Sequence, residues 1–283
     1  MTNGALIFAY NNSDVDYIKI ANFAATRVKQ FLDVPVTLVT NGKEWLASQY
    51  PNHVFDTVIE DLEESELQNK KEFYDGSLTS KKLPWKNESR YKSYELTPYD
   101  KTLVIDSDYI LNSNILKIAF KRDELFQIYK DSVDLSGWRD TTYFKRINPY
   151  SIPFYWATTF VFQKDPIVEA FFDLVNFIKS NWLYFRILYN MGSTMFRNDF
   201  AFSIAIHIMN GKTNGEFATP LPGSMTYVQD TDVLIDMDDV SMKFLVEKQN
   251  HLGEYLAAKT NGIDVHVMNK MSLSRIIDGG NRV

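Results

Sequence analysis

The sequence contains no cysteine. That removes disulfide frameworks, thiolate nucleophiles and cysteine-based zinc sites together. Any metal must then be held by Asp, Glu, His, Asn or a carbonyl oxygen. No stretch approaches the roughly 18–20 uninterrupted apolar residues of a membrane span, and "MTNGALIFAYNN" lacks the basic flank and small-residue cleavage site of a secretory leader. The expectation is a cytoplasmic protein without stable membrane insertion. Positive charge is not in excess either: 30 basic residues face 36 acidic ones, for a net −6. Overall charge therefore provides no drive toward nucleic acid. No internal repeat, low-complexity tract or Pro/Ser-rich linker divides the 283 residues, so one domain is expected.

Apolar residues are plentiful, at 45% with 14% aromatic, enough for one large α/β core. "ALIFAY" (5–10) is a short continuous apolar run, the pattern of a strand buried on both faces. Ser13 or Asp14 can cap the next helix, along which Ile18, Ala21, Ala25, Val28 and Leu32 recur at three- and four-residue spacing. "VPVTLVTN" (34–41) is a second buried strand, so the chain opens as a parallel β-α-β unit. "WLASQY" reads as a short helix and "HVFDTVIED" carries a strand, whereas residues 60–72 are charged and read as a solvated helix or loop. "KTLVID" is a strand, "NILKIAFKRDELFQIYK" is helical in pattern, and "FYWATTFVFQKD" (154–165) has strand character. Residues 166–189 read as one long helix entered at Pro166, and "NDFAFSIAIHIMNG" as another closed by Gly211.

The chemistry begins at "TLVIDSDYIL" (102–111), where an apolar strand delivers Asp106 and Asp108 one residue apart. A buried carboxylate without a partner is costly. Two at the C-terminal end of a parallel strand stand where open α/β sheets bind ligands, and both can reach a divalent cation. The plainer alternative is that the pair only serves a turn.

The stretch Arg90, Tyr94, "TPYD", "KTLVI", Asp106-Ser107-Asp108 resembles nucleotide-sugar-dependent glycosyltransferases of the GT-A fold, particularly the glycogenin-like ones. The resemblance implies a mixed, mainly parallel, Rossmann-like central sheet flanked by helices in a single domain spanning 1–283. Residues 1–112 would be the nucleotide-sugar half and 113–283 the acceptor half with a late metal-binding histidine. It also implies that Ala9, Tyr10 and Asn11 line the base and ribose site. Arg90 and Lys270 would lie at the diphosphate, and Asp106, Asp108 and His266 would hold Mn2+ or Mg2+. Asp106 would face the ribose hydroxyls or a metal-bound water, and Asp199, in "FRNDFAFSIAIH", would hold the donor sugar or assist the acceptor. Trp156-Ala157-Thr158 departs from the family's usual small polar motif, and the spacing from His266 to Lys270 is shorter than usual.

The implied reaction is hexosyl or pentosyl transfer from a nucleotide diphosphate sugar, expected to be UDP-linked, to a hydroxyl acceptor. As a whole the chain also looks like small, cysteine-poor glycosyltransferases of tailed phages, some of which glycosylate hydroxymethylated pyrimidines in DNA. "SKKLPWKNESRYK" (80–92) interleaves five cations with Trp85 and Tyr91, which suits a lid over the diphosphate or a track for nucleic acid. A saccharide or lipid-linked glycan acceptor stays open, as does the oligomeric state. Two rival classes remain: a nucleotidyltransferase, against which "AYNNSD" counts because it holds no glycine for a phosphate loop, and a non-catalytic nucleotide-sugar or glycan-binding module. Asp199 could instead cap its helix.

Overall fold

A computed structural model describes residues 1–62, 69–192 and 195–280. In chain order its first part comprises β1 (Asn3–Ala9), α1 (Tyr17–Leu32), β2 (Val36–Thr40), α2 (Lys43–Gln49), β3 (Thr57–Glu60), β4 (Lys70–Tyr74), β5 (Ser80–Pro84), α3 (Ser93–Leu96), β6 (Lys101–Asp106) and β7 (Tyr109–Ile110). Next come α4 (Lys117–Lys121), β8 (Phe126–Tyr129), β9 (Ser132–Asp134), β10 (Trp156–Gln163), α5 (Pro166–Ser180), α6 (Trp182–Leu188) and α7 (Asn198–Met209). The chain closes through β11 (Thr219–Pro220), β12 (Met225–Val228), β13 (Val233–Met237), β14 (Ser241–Glu247), β15 (Tyr255–Asn261), β16 (Val265–Val267) and α8 (Lys270–Gly280).

The apolar runs pair into a seven-stranded sheet ordered β11-β8-β10-β6-β1-β2-β3. β1 is parallel to β2 and to β6, β2 to β3 and β11 to β8, while β10 runs antiparallel to both β6 and β8. This is the mixed, mainly parallel sheet flanked by helices that the GT-A resemblance leads one to expect. Strands from both halves of the chain hydrogen-bond in it. β2, β10 and all of β6 but Asp106 are buried, which explains their unalternating sequences. Between β8, β10 and the helices α5 and α7, Phe126, Phe160, Phe162, Phe171, Phe172 and Phe202 form one contacting ring cluster. Gly4 of β1 allows close packing: a Cβ there would lie 2.4 Å from the ring of Tyr99, whose hydroxyl meets Thr37 Oγ1 at 2.8 Å.

Helix α1 buries Ile18, Ala21, Ala25, Val28 and Leu32 as its spacing requires. Its N-cap is Asp16, which accepts from Lys19 N at 3.0 Å, rather than Ser13 or Asp14. Ser13 bonds Asp14 instead, and Asp14 pairs with Lys81 of β5. Three other expectations change. Lys70–Tyr74 is a strand, paired antiparallel with β5; residues 63–68 of that charged segment lie outside the described residues. The helical pattern at 114–130 contains only the short α4: the chain is extended at Arg122, and Phe126–Tyr129 is a fully buried strand beside β10. The long helix is two. Asn181 leaves helical geometry at φ −114°, ψ 32°, and α6 starts anew with Trp182 and Phe185 buried.

A second sheet, β7-β16-β12-β9, sits beside the C-terminal end of β6. β16 pairs antiparallel with β7, setting His266 opposite Tyr109, and Val267 N donates to Asp108 O at 2.8 Å. A three-stranded meander, β13-β14-β15, and the β4–β5 hairpin complete the structure.

Candidate active site

β6 ends at Asp106, the chain turns at Ser107, and Asp108 opens toward β16. In the parallel register Asp106 lies beside Phe8 of β1. Arg90, carried on a 3-10 turn at Ser89–Lys92, forms a close ion pair with Asp106 Oδ1 while its guanidinium sits 4.8 Å from the centre of the Phe8 ring. β16 brings His266 Nε2 within 3.3 Å of Asp108 Oδ2, and four residues later the start of α8 brings Lys270 Nζ to 2.5 Å from the same oxygen. Asp106, Asp108 and His266 each offer one ligand atom, and those atoms lie within 4.8 Å of one another.

Burial opposes the charged form of Asp108, yet the neighbouring Lys270 and His266 outweigh it and hold the carboxyl below its usual range. Asp106 is pushed the other way, up, by burial and by the charge of Asp108, against the pull of Arg90. One carboxylate is thus kept ionised while its neighbour is held nearer neutrality. Two carboxylate oxygens and an imidazole nitrogen can together hold a divalent cation. The residues fit such an ion in a further respect: His266 Nδ1 is buried with no hydrogen-bond partner among the described residues, so the ring is not committed to a structural contact through that atom.

These groups open onto a cleft of about 360 Å³. Of the residues named from sequence, Tyr10, Arg90, Asp106, Asp108, Asp199, His266 and Lys270 all line it. Ala9 and Asn11 do not. Ala9 is buried within β1, and Asn11 turns its Oδ1 to Ile18 N at 3.0 Å, bracing the start of α1. Tyr10 donates to Asp61 Oδ2 at 2.7 Å, and burial together with Asp61 keeps the phenol protonated. Asp199 does not cap its helix: Oδ1 accepts from Ala157 N of β10 at 2.9 Å, and Oδ2 pairs with Arg197 at 2.6 Å. That clamp fixes the entry of α7 against the sheet.

Several cleft residues were not legible beforehand. Lys71 of β4 enters from the hairpin, 3.2 Å from Asp230 and 5.7 Å from the centre of the Trp85 ring. Burial, and then repulsion from Lys270, lowers the pKa of its ammonium. Arg197 approaches from the segment before α7, and Trp156, Thr158 and Tyr227 complete the wall. The basic-aromatic stretch at 80–92 pointed to Trp85, Lys86 and Arg90, and the resemblance to Arg90 and Lys270, but neither pointed to Lys71 or Arg197. A second, more open depression of about 550 Å³ shares Tyr143 and Gln229 with the cleft and runs out past Asp140, Glu247 and Lys248. On its edge Arg139 is locked between Asp134 and Asp232, at 2.9 and 2.6 Å.

No protein-family model matches the sequence, and no curated protein does. Among solved structures the chain is similar to the glycosyltransferase GlyE of Streptococcus pneumoniae TIGR4, at 12% identity over 78% of this chain and 45% of that one, with a TM-score of 0.45. It is similar to a galactosyltransferase, LgtC, solved in complex with donor and acceptor sugar analogs, at 16% identity over 76% and 72% with a TM-score of 0.47. It is also similar to the inositol-1-phosphate CTP transferase of T. maritima, at 13% identity over 78% and 85% with a TM-score of 0.43. This chain spans less than half the length of the first of these.

Proposed function

We propose that the chain is a metal-dependent glycosyltransferase of GT-A type that moves a sugar from a nucleotide diphosphate sugar, with UDP as the expected nucleotide, to a hydroxyl acceptor. The observation that carries this is the meeting of Asp106, Asp108 and His266, from segments more than half the chain apart, at a cleft edged by Arg90, Lys71, Arg197 and Lys270. A bound Mn2+ or Mg2+ would supply positive charge for the departing diphosphate. Arg90 and Lys270 sit on the two carboxylates and extend the same positive field to phosphate oxygens. Lys71 and Trp85 offer a cation beside an aromatic face for base or sugar. Asp199, tied by both oxygens, acts here as a clamp that holds the wall near the sugar.

In the transfer, the bond between the anomeric carbon and the diphosphate oxygen breaks with its electron pair leaving on the diphosphate. The acceptor oxygen bonds that carbon and gives its proton to the leaving group or a cleft carboxylate. For the acceptor, charge favours a saccharide over DNA. Within 80–92, Lys81, Arg90 and Lys92 are paired with Asp14, Asp106 and Asp61, and the depression leading out of the cleft carries Asp140 and Glu247. A phosphate track calls for unpaired cations in a row.

The reading is tested by thermal shift with nucleotide diphosphate sugars, with and without Mn2+. Stabilisation that needs both is expected; none in either condition overturns it. Product analysis separates the rival class, because a nucleotidyltransferase releases pyrophosphate and a glycosyltransferase releases nucleoside diphosphate. Mass spectrometry of hydroxymethylcytosine-containing DNA and of simple saccharides after incubation identifies the acceptor.

A further inference from the structure

Exposed apolar surface is concentrated where α5 ends and α6 follows. Phe177 (56% exposed), Leu183 (66%), Tyr184 (62%), Ile187 (66%) and Leu188 (58%) lie within one short segment. Trp182 and Phe185, on the other side of α6, are buried and anchor it. A contiguous exposed patch of this kind marks an interaction surface, and the charges around it indicate the partner. From Leu174 to Asn198 the chain holds no acidic residue, and of its cations Arg186 lies half-buried on α6, whereas Lys179 is buried over the Tyr91 ring and Arg197 is paired with Asp199 in the cleft. The loop 141–153 is acid-free as well and displays exposed Lys145, Arg146 and Tyr150. It is seated on the end of α6, where Asn148 Nδ2 donates to Tyr189 O at 2.6 Å. The nearest acid along α5 is Asp173, one turn before Phe177.

In a chain of net −6, half-buried Arg186 and exposed Lys145 and Arg146 place positive charge at one border of the apolar face, with exposed Asp173 at its α5 end. Apolar and aromatic side chains edged by Lys and Arg suit a helix lying in the plane of an anionic bilayer, with rings and aliphatic groups at the acyl boundary and cations at the headgroups. A two-fold contact with a second copy would instead set like charges against each other. We propose that α6, together with the loop 141–153, docks reversibly on an anionic lipid surface. The same loop carries Tyr143 and Phe144 into the cleft wall, so docking sets the cleft mouth beside the headgroups. This inference is independent of which group the enzyme transfers.

Co-sedimentation with vesicles of phosphatidylglycerol mixed into phosphatidylcholine, and of phosphatidylcholine alone, tests it. Pelleting with the anionic vesicles, release by high salt, and at least about tenfold weaker binding by the L183S/I187S double variant are expected. Both positions are exposed, and near-UV circular dichroism verifies that the variant keeps its fold. Absence of binding to anionic vesicles at low salt, or equal binding by the variant, overturns the proposal. So does a dimer in sedimentation velocity that the double variant dissociates while vesicles are ignored, which would assign the face to a second copy of the chain.

Discussion

At the scale of single residues, the site rests on charges that answer one another. Asp108 stays ionised because Lys270 and His266 face it, so replacing Asp108 with Ala removes one of the three proposed ligands and the partner of both side chains. Sugar transfer should fall on the order of 10²–10³-fold, measured as nucleoside diphosphate release, with the circular dichroism spectrum unchanged; retained turnover would contradict the metal-site reading. Lys270→Ala should separate two roles of the lysine. Its ammonium, paired with Asp108, would compete with a bound metal ion and would face the phosphate of the proposed donor, so calorimetry should show Mn2+ bound at lower concentration and the nucleotide bound more weakly. Weaker Mn2+ binding would show instead that Lys270 shapes the ligand set. Away from the cleft, Arg139→Ala would leave Asp134 and Asp232 buried and unpaired. A loss of about 3–5 kcal/mol in urea unfolding is expected, and a loss below 1 kcal/mol would mean that the pair behaves like a surface one.

At the scale of elements, Gly4 of β1 brings its backbone against the ring of Tyr99. Gly4→Ala must displace Tyr99 from Thr37 and should cost about 1–3 kcal/mol, seen as a lower denaturation midpoint; a neutral outcome would mean that Tyr99 can move freely. The elements legible in the sequence were those whose period is unambiguous: the continuous runs of β1, β2, β6 and β10, and the stripe along α1. β8 was missed because Phe126, Ile128 and Tyr129 followed a charged helical stretch, and period alone cannot separate a buried strand from a buried helix turn. The break at Asn181 was missed because buried apolar residues on both sides, Phe171, Val175, Ile178, Trp182 and Phe185, keep helical spacing across it. In the site, Asp106, Asp108, His266 and Lys270 were visible as residue types in a motif. Lys71 and Arg197 were not, since the hairpin and the segment before α7 reach the cleft only through tertiary packing.

At the scale of the whole molecule, stability should respond to pH through groups outside the cleft. Asp264 accepts from Asn112 N and Ser113 N, both at 2.8 Å, yet burial pushes its carboxyl up from 3.8 to about 6. Folding therefore favours its protonated form. That contribution is complete below pH 3.8 and is lost as pH rises through about 6. Asp264→Asn should flatten the decline: between pH 4 and 7 the melting temperature should drop less in the variant than in the parent chain, and parallel curves would show that Asp264 ionises freely. Comparing the two chains cancels the opposite trend of Asp108, whose lowered carboxyl adds stability that is lost toward acid.

The pairing of β16 with β7 also has a consequence in time. On the ribosome Asp106 and Asp108 emerge early, whereas His266 and Lys270, which complete their surroundings, are added more than half the chain later. At roughly 5–20 residues per second, the two carboxylates wait on the order of ten seconds or more beside Arg90 alone. A nascent chain can thus build β1, β2 and β6 before the proposed ion site is complete, and the proposed activity would await β16 and α8.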